Sequence, residues 1–287
     1  MRRASRGARI GEYMTVTNAV ETTMIWGTVS GASMVGMVIS LLLSVVLPIF
    51  LGIFIYKKTK AWVPAFFIGC GIFVGFAMIL EQICHAIVLT VTGSAIRDNI
   101  WLYAIYGGLA AALFEECGRW IAMTFCLKKH LTRENALMYG AGHGGIEAFL
   151  ILGMSSMSNL LTAAMINGGL MEKTMTALEP AQQEVTYHQL SVLWTTPAYQ
   201  FYLAPVERIS AIALQIALSI LVYSAVKTGR KLQLAAAFGL HFAVDFLTVI
   251  CASMIPTWAL ELGLLVVVAV ICAAVYKLVY VHSAEKK

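Results

Sequence analysis

An all-α, polytopic transmembrane bundle of about seven spans, or eight, is the fold this sequence predicts, and three observations carry the prediction. Of 287 residues, 60% are hydrophobic and only 12% are charged. The mean hydropathy is +0.80. The apolar residues run in stretches of about twenty or more, each long enough to cross a hydrocarbon core of about 30 Å as a helix. Soluble domains carry about 25% charged residues, so a water-soluble globule is excluded.

The spans read in order as residues 31–56, 62–90, 100–127, 135–158, 206–226, 232–254 and 258–280. They divide the chain into an N-terminal extracytoplasmic segment, 1–30, and a membrane-embedded helical domain, 31–282, whose longest connection is an outer loop at 159–205. Cations sort by connection. Lys57, Lys58 and Lys60 follow the first span, Lys128, Lys129 and Arg133 the third, Lys227, Arg230 and Lys231 the fifth, and Lys277, Lys286 and Lys287 the last. The outer loop carries Glu172, Glu179 and Glu184 against the single Lys173. An excess of Lys and Arg marks the cytoplasmic side, so the N-terminus is expected outside and the C-terminus in the cytoplasm. Arg2, Arg3, Arg6 and Arg9 run against this pattern. Either they lie too far from the first span to weigh on it, or translation starts at Met14 or Met24. The segment lacks a short apolar core followed by small residues, so it does not read as a signal peptide.

A net charge of +5 does not indicate a nucleic-acid partner, because the basic residues sit in short clusters between apolar runs and form no face with interleaved aromatics. Cys70, Cys84, Cys117, Cys126, Cys251 and Cys272 include no CxxC pair, which speaks against a disulfide scaffold or a zinc ribbon.

Ionisable residues inside the spans carry the functional signal, since a charge at the bilayer centre costs at least about 2.5 kcal/mol. They are Glu115, Glu116 and Arg119 in the third span, His143 and Glu147 in the fourth, and His241 and Asp245 in the sixth. Counting about 1.5 Å per residue from the lysine-bearing ends puts Glu115 at ~18 Å depth, His143 at ~13 Å, Glu147 at ~19 Å, His241 at ~14 Å and Asp245 at ~20 Å. All share one stratum. Glu115 with Arg119, His143 with Glu147, and His241 with Asp245 are each four residues apart, so each pair occupies one helix face. Gly140, Gly142, Gly144 and Gly145 around His143, with Gly118 and Gly239 beside the other clusters, predict close backbone approach or a local loosening of the helix. Glu116 and Arg119 also read as a structural ion pair that lets an arginine sit in the membrane. Glu81 and His85 lie ~30 Å along the second span from Lys60 and read as an outer-interface pair. Glu207 and Arg208 read as a helix-end or loop-anchoring pair, and Glu261 as an outer-interface residue.

Two histidines and several carboxylates, with no serine beside a base, point to activation of water. Glu115 is the natural general base, His143 could share its water, and His241 could donate to the oxyanion of an attacked carbonyl. Alternatively His143, His241 and Glu115 ligate Zn2+ or another divalent metal and leave a position open for water. The spacing does not separate these versions.

The FEExxR of residues 114–119, the GHGGxE of 142–147 and the HxxxD of 241–245 together resemble the YhfC-like family, related to the CAAX-prenyl-protease/bacteriocin-processing and PrsW-like intramembrane proteases. The resemblance covers about residues 100–250. It implies a helical membrane endopeptidase, glutamic or metal-dependent, acting on a membrane protein or peptide substrate in the lipid bilayer. It assigns water activation to Glu115, support to Glu116 and Arg119, the second-motif histidine to His143, and the last motif to His241 and Asp245. The chain departs from the CAAX-type pattern in three places: that pattern spaces its arginine one residue further, has no counterpart of Glu147, and ends in HxxxN. An ionised Asp245 cannot donate a hydrogen bond to an oxyanion, so it would be protonated, orient His241 or bind metal.

Two rival classes share these residues. A proton- or ion-coupled transporter would use a midplane carboxylate and histidine relay, although no counterpart of FEECGR recurs in the second half as paired halves would require. A silent membrane scaffold would need the polar residues only for stability.

Overall fold

The computed structural model describes residues 24–281. Arg2, Arg3, Arg6, Arg9, a start at Met14, and Lys286 and Lys287 lie outside the described residues.

Among the described residues, seven helices are long and apolar enough to cross a membrane: Gly31–Thr59, Pro64–Thr92, Ile100–Cys126, Arg133–Asn167, Ala198–Thr228, Lys231–Ala252 and Thr257–Tyr280. These are the first to seventh spans below. Among the described residues there is no strand, and the protein is a polytopic helical bundle. Local chemistry sets the helix ends. Ser30 accepts from the Ser33 amide at 3.0 Å, Asn99 from the Trp101 amide at 3.0 Å, and Thr132 from the Asn135 amide at 3.2 Å, each satisfying a donor that the first turn leaves open. The first span stops at Lys60 and the fifth at Gly229, both left-handed, with φ of 57° and 72°.

The two ends of the bundle differ in composition. At one end Trp62 stacks on His130 with centroids 4.1 Å apart, Arg133 lies over Tyr280 at 4.7 Å, and the Asn135 side chain joins the Trp62 amide at 2.7 Å to the His130 carbonyl at 2.7 Å. The lysine-bearing turns after the first and third spans therefore meet the end of the seventh. At the other end the Asn167 side chain accepts from the Val29 amide at 2.8 Å and donates to its carbonyl at 3.0 Å. There Trp26, Tyr187 and Trp194 pack ring to ring.

Two helices run longer than the sequence suggests. The fourth continues past 158 to Asn167, because Ser155 satisfies its hydroxyl on the carbonyls of Ile151 and Leu152 and does not end the helix. The fifth begins at Ala198, before Pro205, which a membrane helix accommodates where neighbouring elements support the freed backbone. Most of the remaining outer connection is itself helical, at Leu170–Met175 and Pro180–Thr195.

The fifth span is the axis of the bundle and mostly buried, packing against the fourth, seventh, first and sixth spans. The second span lies on the fourth and the sixth on the third. Glycines set the closest crossing. A Cβ at Gly142 would lie 1.9 Å from the Phe66 carbonyl oxygen, and one at Gly69 2.2 Å from that of Tyr139. Gly140, Gly144 and Gly145 similarly admit the fifth and first spans, while Gly118 admits Phe76 of the second. Gly239 departs from expectation, since a Cβ there meets nothing within 4 Å. The helix around His143 is not loosened either: it is regular from Arg133 to Ala148, and the wider π-helical turns begin only at Phe149.

Candidate functional site

The third, fourth and sixth spans bring their polar faces together, and the fifth supplies the residue that joins them. Gln215, buried on the fifth span, donates its amide to Glu115 Oε2 at 2.9 Å and to Glu147 Oε2 at 2.7 Å. Its carbonyl oxygen accepts from the Arg119 guanidinium. Glu115 Oε2 also accepts from His143 Nε2 at 2.9 Å. Glu115 Oε1 is 4.0 Å from His241 Nε2.

His143 is fully buried. Its ring meets Phe73 edge to face at 5.2 Å, and its Nδ1 lies 3.5 Å from the Tyr139 hydroxyl. Glu116 and Arg119 form a second buried layer. Arg119 Nη1 donates to Glu116 Oε1 at 2.7 Å, and the same oxygen accepts from His241 Nδ1 at 2.8 Å. That bond fixes the ring, so His241 Nε2 turns toward Glu115 and toward Asp245 Oδ2 at 3.5 Å.

A cavity of about 440 Å³ opens onto this cluster. Glu115, Glu147, His241 and Asp245 line it, as does Gln215, whereas His143, Glu116 and Arg119 stand behind its wall. From the sequence alone, His143 could share the water of Glu115. The structure places it behind Glu115, holding the carboxylate by one oxygen and leaving the other toward the cavity.

Three groups set aside in the sequence reading belong to the same region. Arg208 is inside the fifth span, because the helix starts ten residues earlier, at Ala198. Its Nη1 donates to Glu147 Oε1 at 3.0 Å, and it pairs with Glu207. His85 lines the cavity, with Nδ1 2.7 Å from the Tyr106 hydroxyl and Nε2 3.2 Å from the buried Glu81. The π-helical stretch Val74–Glu81 ends at that carboxylate, and such extra-residue turns re-aim the side chains that follow. Glu261 is also buried, and its Oε2 has no hydrogen-bond partner among the described residues. Gln215 gave no sequence signal beyond being a lone amide in an apolar run.

Among the described residues no three His, Cys, Asp or Glu side chains are grouped to hold an ion. Glu115 and His143 are bonded to one another, and Glu116 is committed to Arg119 and to His241 Nδ1. As arranged, the residues do not fit a metal.

Comparison with known proteins then gives two matches. A family profile described as YhfC intramembrane metalloprotease matches residues 43–272. The "Uncharacterized membrane protein YhfC" of Bacillus subtilis (strain 168) is 41% identical over 222 residues, covering 74% of this chain and 83% of its own length. No solved structure matches.

Proposed function

The chain belongs to the YhfC intramembrane metalloprotease family, and on that premise we propose that it is an endopeptidase cleaving a membrane-embedded or membrane-adjacent protein with water activated by Glu115. One observation carries the reading: the Glu115 carboxylate is held on Oε2 by His143 and Gln215, while Oε1 faces His241 Nε2 across 4.0 Å beside the cavity. At that separation one water can hydrogen-bond to both groups.

In this mechanism Glu115 takes a proton as the water attacks the peptide carbonyl carbon, and returns it to the leaving amine. Protonated His241, backed by Glu116, donates from Nε2 to the oxyanion. His143 and Gln215 keep the base in place, and Asp245 orients the exposed edge of His241. Preorganised donors of this kind act in a water-poor site, where they are strongest. Glu147 and Arg208 also line the cavity, where a peptide would lie. The lysine clusters support a cytoplasmic C-terminus and an outer N-terminus.

The family description includes a metal, whereas the side chains are arranged as a hydrogen-bonded network. Elemental analysis of active protein distinguishes the two versions. The reading itself is tested by incubating purified protein in nanodiscs with a panel of single-span membrane peptides. Wild-type cleavage that disappears in Glu115→Gln and His241→Ala is the expected result, and cleavage that survives both overturns it.

A further inference from the structure

A hydrolytic cavity buried among helices needs a route for its substrate, and the sixth and seventh spans provide one. They are joined by the short turn at 253–256, yet they diverge, the sixth packing on the third span and the seventh on the fifth. Between them runs an apolar groove of about 500 Å³. It follows the sixth span from Leu240 to Cys251, roughly 17 Å of helix at 1.5 Å per residue, which suits a helical segment better than a single side chain. On the seventh span it includes Gly263, where an added Cβ would meet nothing within 4 Å.

The groove does not end blindly. Val244, Thr248 and Leu264 line both it and the cavity that holds Glu115, His241 and Asp245. Val244 is buried, so it forms with Leu264 the partition between lipid-facing groove and polar cavity. Outward of the partition, Leu247, Val266 and Val267 are exposed.

Resting on the proteolytic reading, we propose that this groove receives an apolar transmembrane segment of the substrate from the bilayer, with Val244 and Leu264 as the gate to Glu115. The occupant follows from continuity. Lipid acyl chains would fill an apolar groove equally well, but they offer nothing to hydrogen-bond, and this groove leads to a chamber lined by Gln215, Glu147 and Arg208. A peptide that unwinds there exchanges its helical hydrogen bonds for those side chains instead of leaving them unmet in hydrocarbon. A short water-soluble peptide does not need this route, because the cavity also extends to His85 and to Tyr103, whose side chain is exposed.

The test uses the full chain in nanodiscs and two probes: the membrane peptide from the panel that wild type cleaves, and an eight-residue water-soluble peptide matching its cleavage site. Gly263→Phe fills the groove without a backbone clash. It is expected to lower kcat/KM on the membrane peptide about tenfold or more while changing the soluble peptide by less than about twofold. A photocrosslinking residue at Val266 is expected to capture the membrane peptide, and one at Phe125, exposed on the third span, is not. Equal losses on both probes, or an unaffected membrane peptide, would overturn the gate. If wild type cleaves neither probe, the proteolytic reading fails and the gate with it; if wild type cleaves and Gly263→Phe is indifferent, the gate alone fails.

Discussion

Gln215 donates to Glu115 at 2.9 Å and to Glu147 at 2.7 Å, so one amide of the fifth span holds the carboxylates of the third and fourth in a fixed relation. Its carbonyl oxygen completes the arrangement by accepting from Arg119. Gln215→Leu removes one hydrogen bond from each of three buried groups at once. We expect a stability loss of about 3 kcal/mol, taking roughly 1 kcal/mol for each bond lost. We also expect at least about a tenfold fall in kcat/KM, because Glu115 is no longer fixed. Thermal unfolding in detergent and cleavage of the membrane peptide check both.

Arg208 lies between Glu147 and Glu207 with its side chain 12% exposed. Arg208→Ala leaves two carboxylates without their cation, and breaking such a pair costs about 3 to 5 kcal/mol. Arg208→Lys, which keeps the charge, should lose less. Adding Glu147→Leu to Arg208→Ala should restore part of the loss. A double variant that is fully additive would show that the two side chains do not interact.

The glycines give a contrast within one motif class. Gly142→Ala forces a Cβ to within 1.9 Å of the Phe66 carbonyl and is expected to cost about 3 kcal/mol and lower membrane abundance. Gly239→Ala meets nothing within 4 Å and should gain up to about 1 kcal/mol through helix propensity. Equal unfolding temperatures for the two variants would contradict the packing described here.

Metal content gives a fourth expectation. With Glu115 bonded to His143, and Glu116 to Arg119 and His241, active protein should carry well under one zinc per chain, and cleavage should persist in excess chelator. Stoichiometric metal whose removal ends cleavage would mean that the side chains regroup around an ion.

The sequence revealed the bundle and the gathering of the third, fourth and sixth spans, because paired ionisable residues in apolar runs are costly and four-residue spacing assigns them to one face. It did not reveal Gln215, since a single amide in a span carries no pairing pattern. Arg208 was hidden by Pro205, which reads as a helix boundary in water but lies inside a membrane helix here. His85 was hidden by the assumption of a single polar layer. The cavity instead runs along the third span from Glu115 to Tyr103, twelve residues or about 18 Å of helix, and so reaches the far end of the second span. Gly239 misled in the opposite direction, because proximity in sequence to His241 does not place it against another backbone.

The most direct measurement is the cleavage rate of the nanodisc-embedded membrane peptide by Glu115→Gln, a substitution that keeps the shape of the side chain and removes the base. The expected result is a loss of about a thousandfold or more at an unfolding temperature close to wild type. Cleavage within about tenfold of wild type would contradict the assignment of Glu115 as the group that activates water.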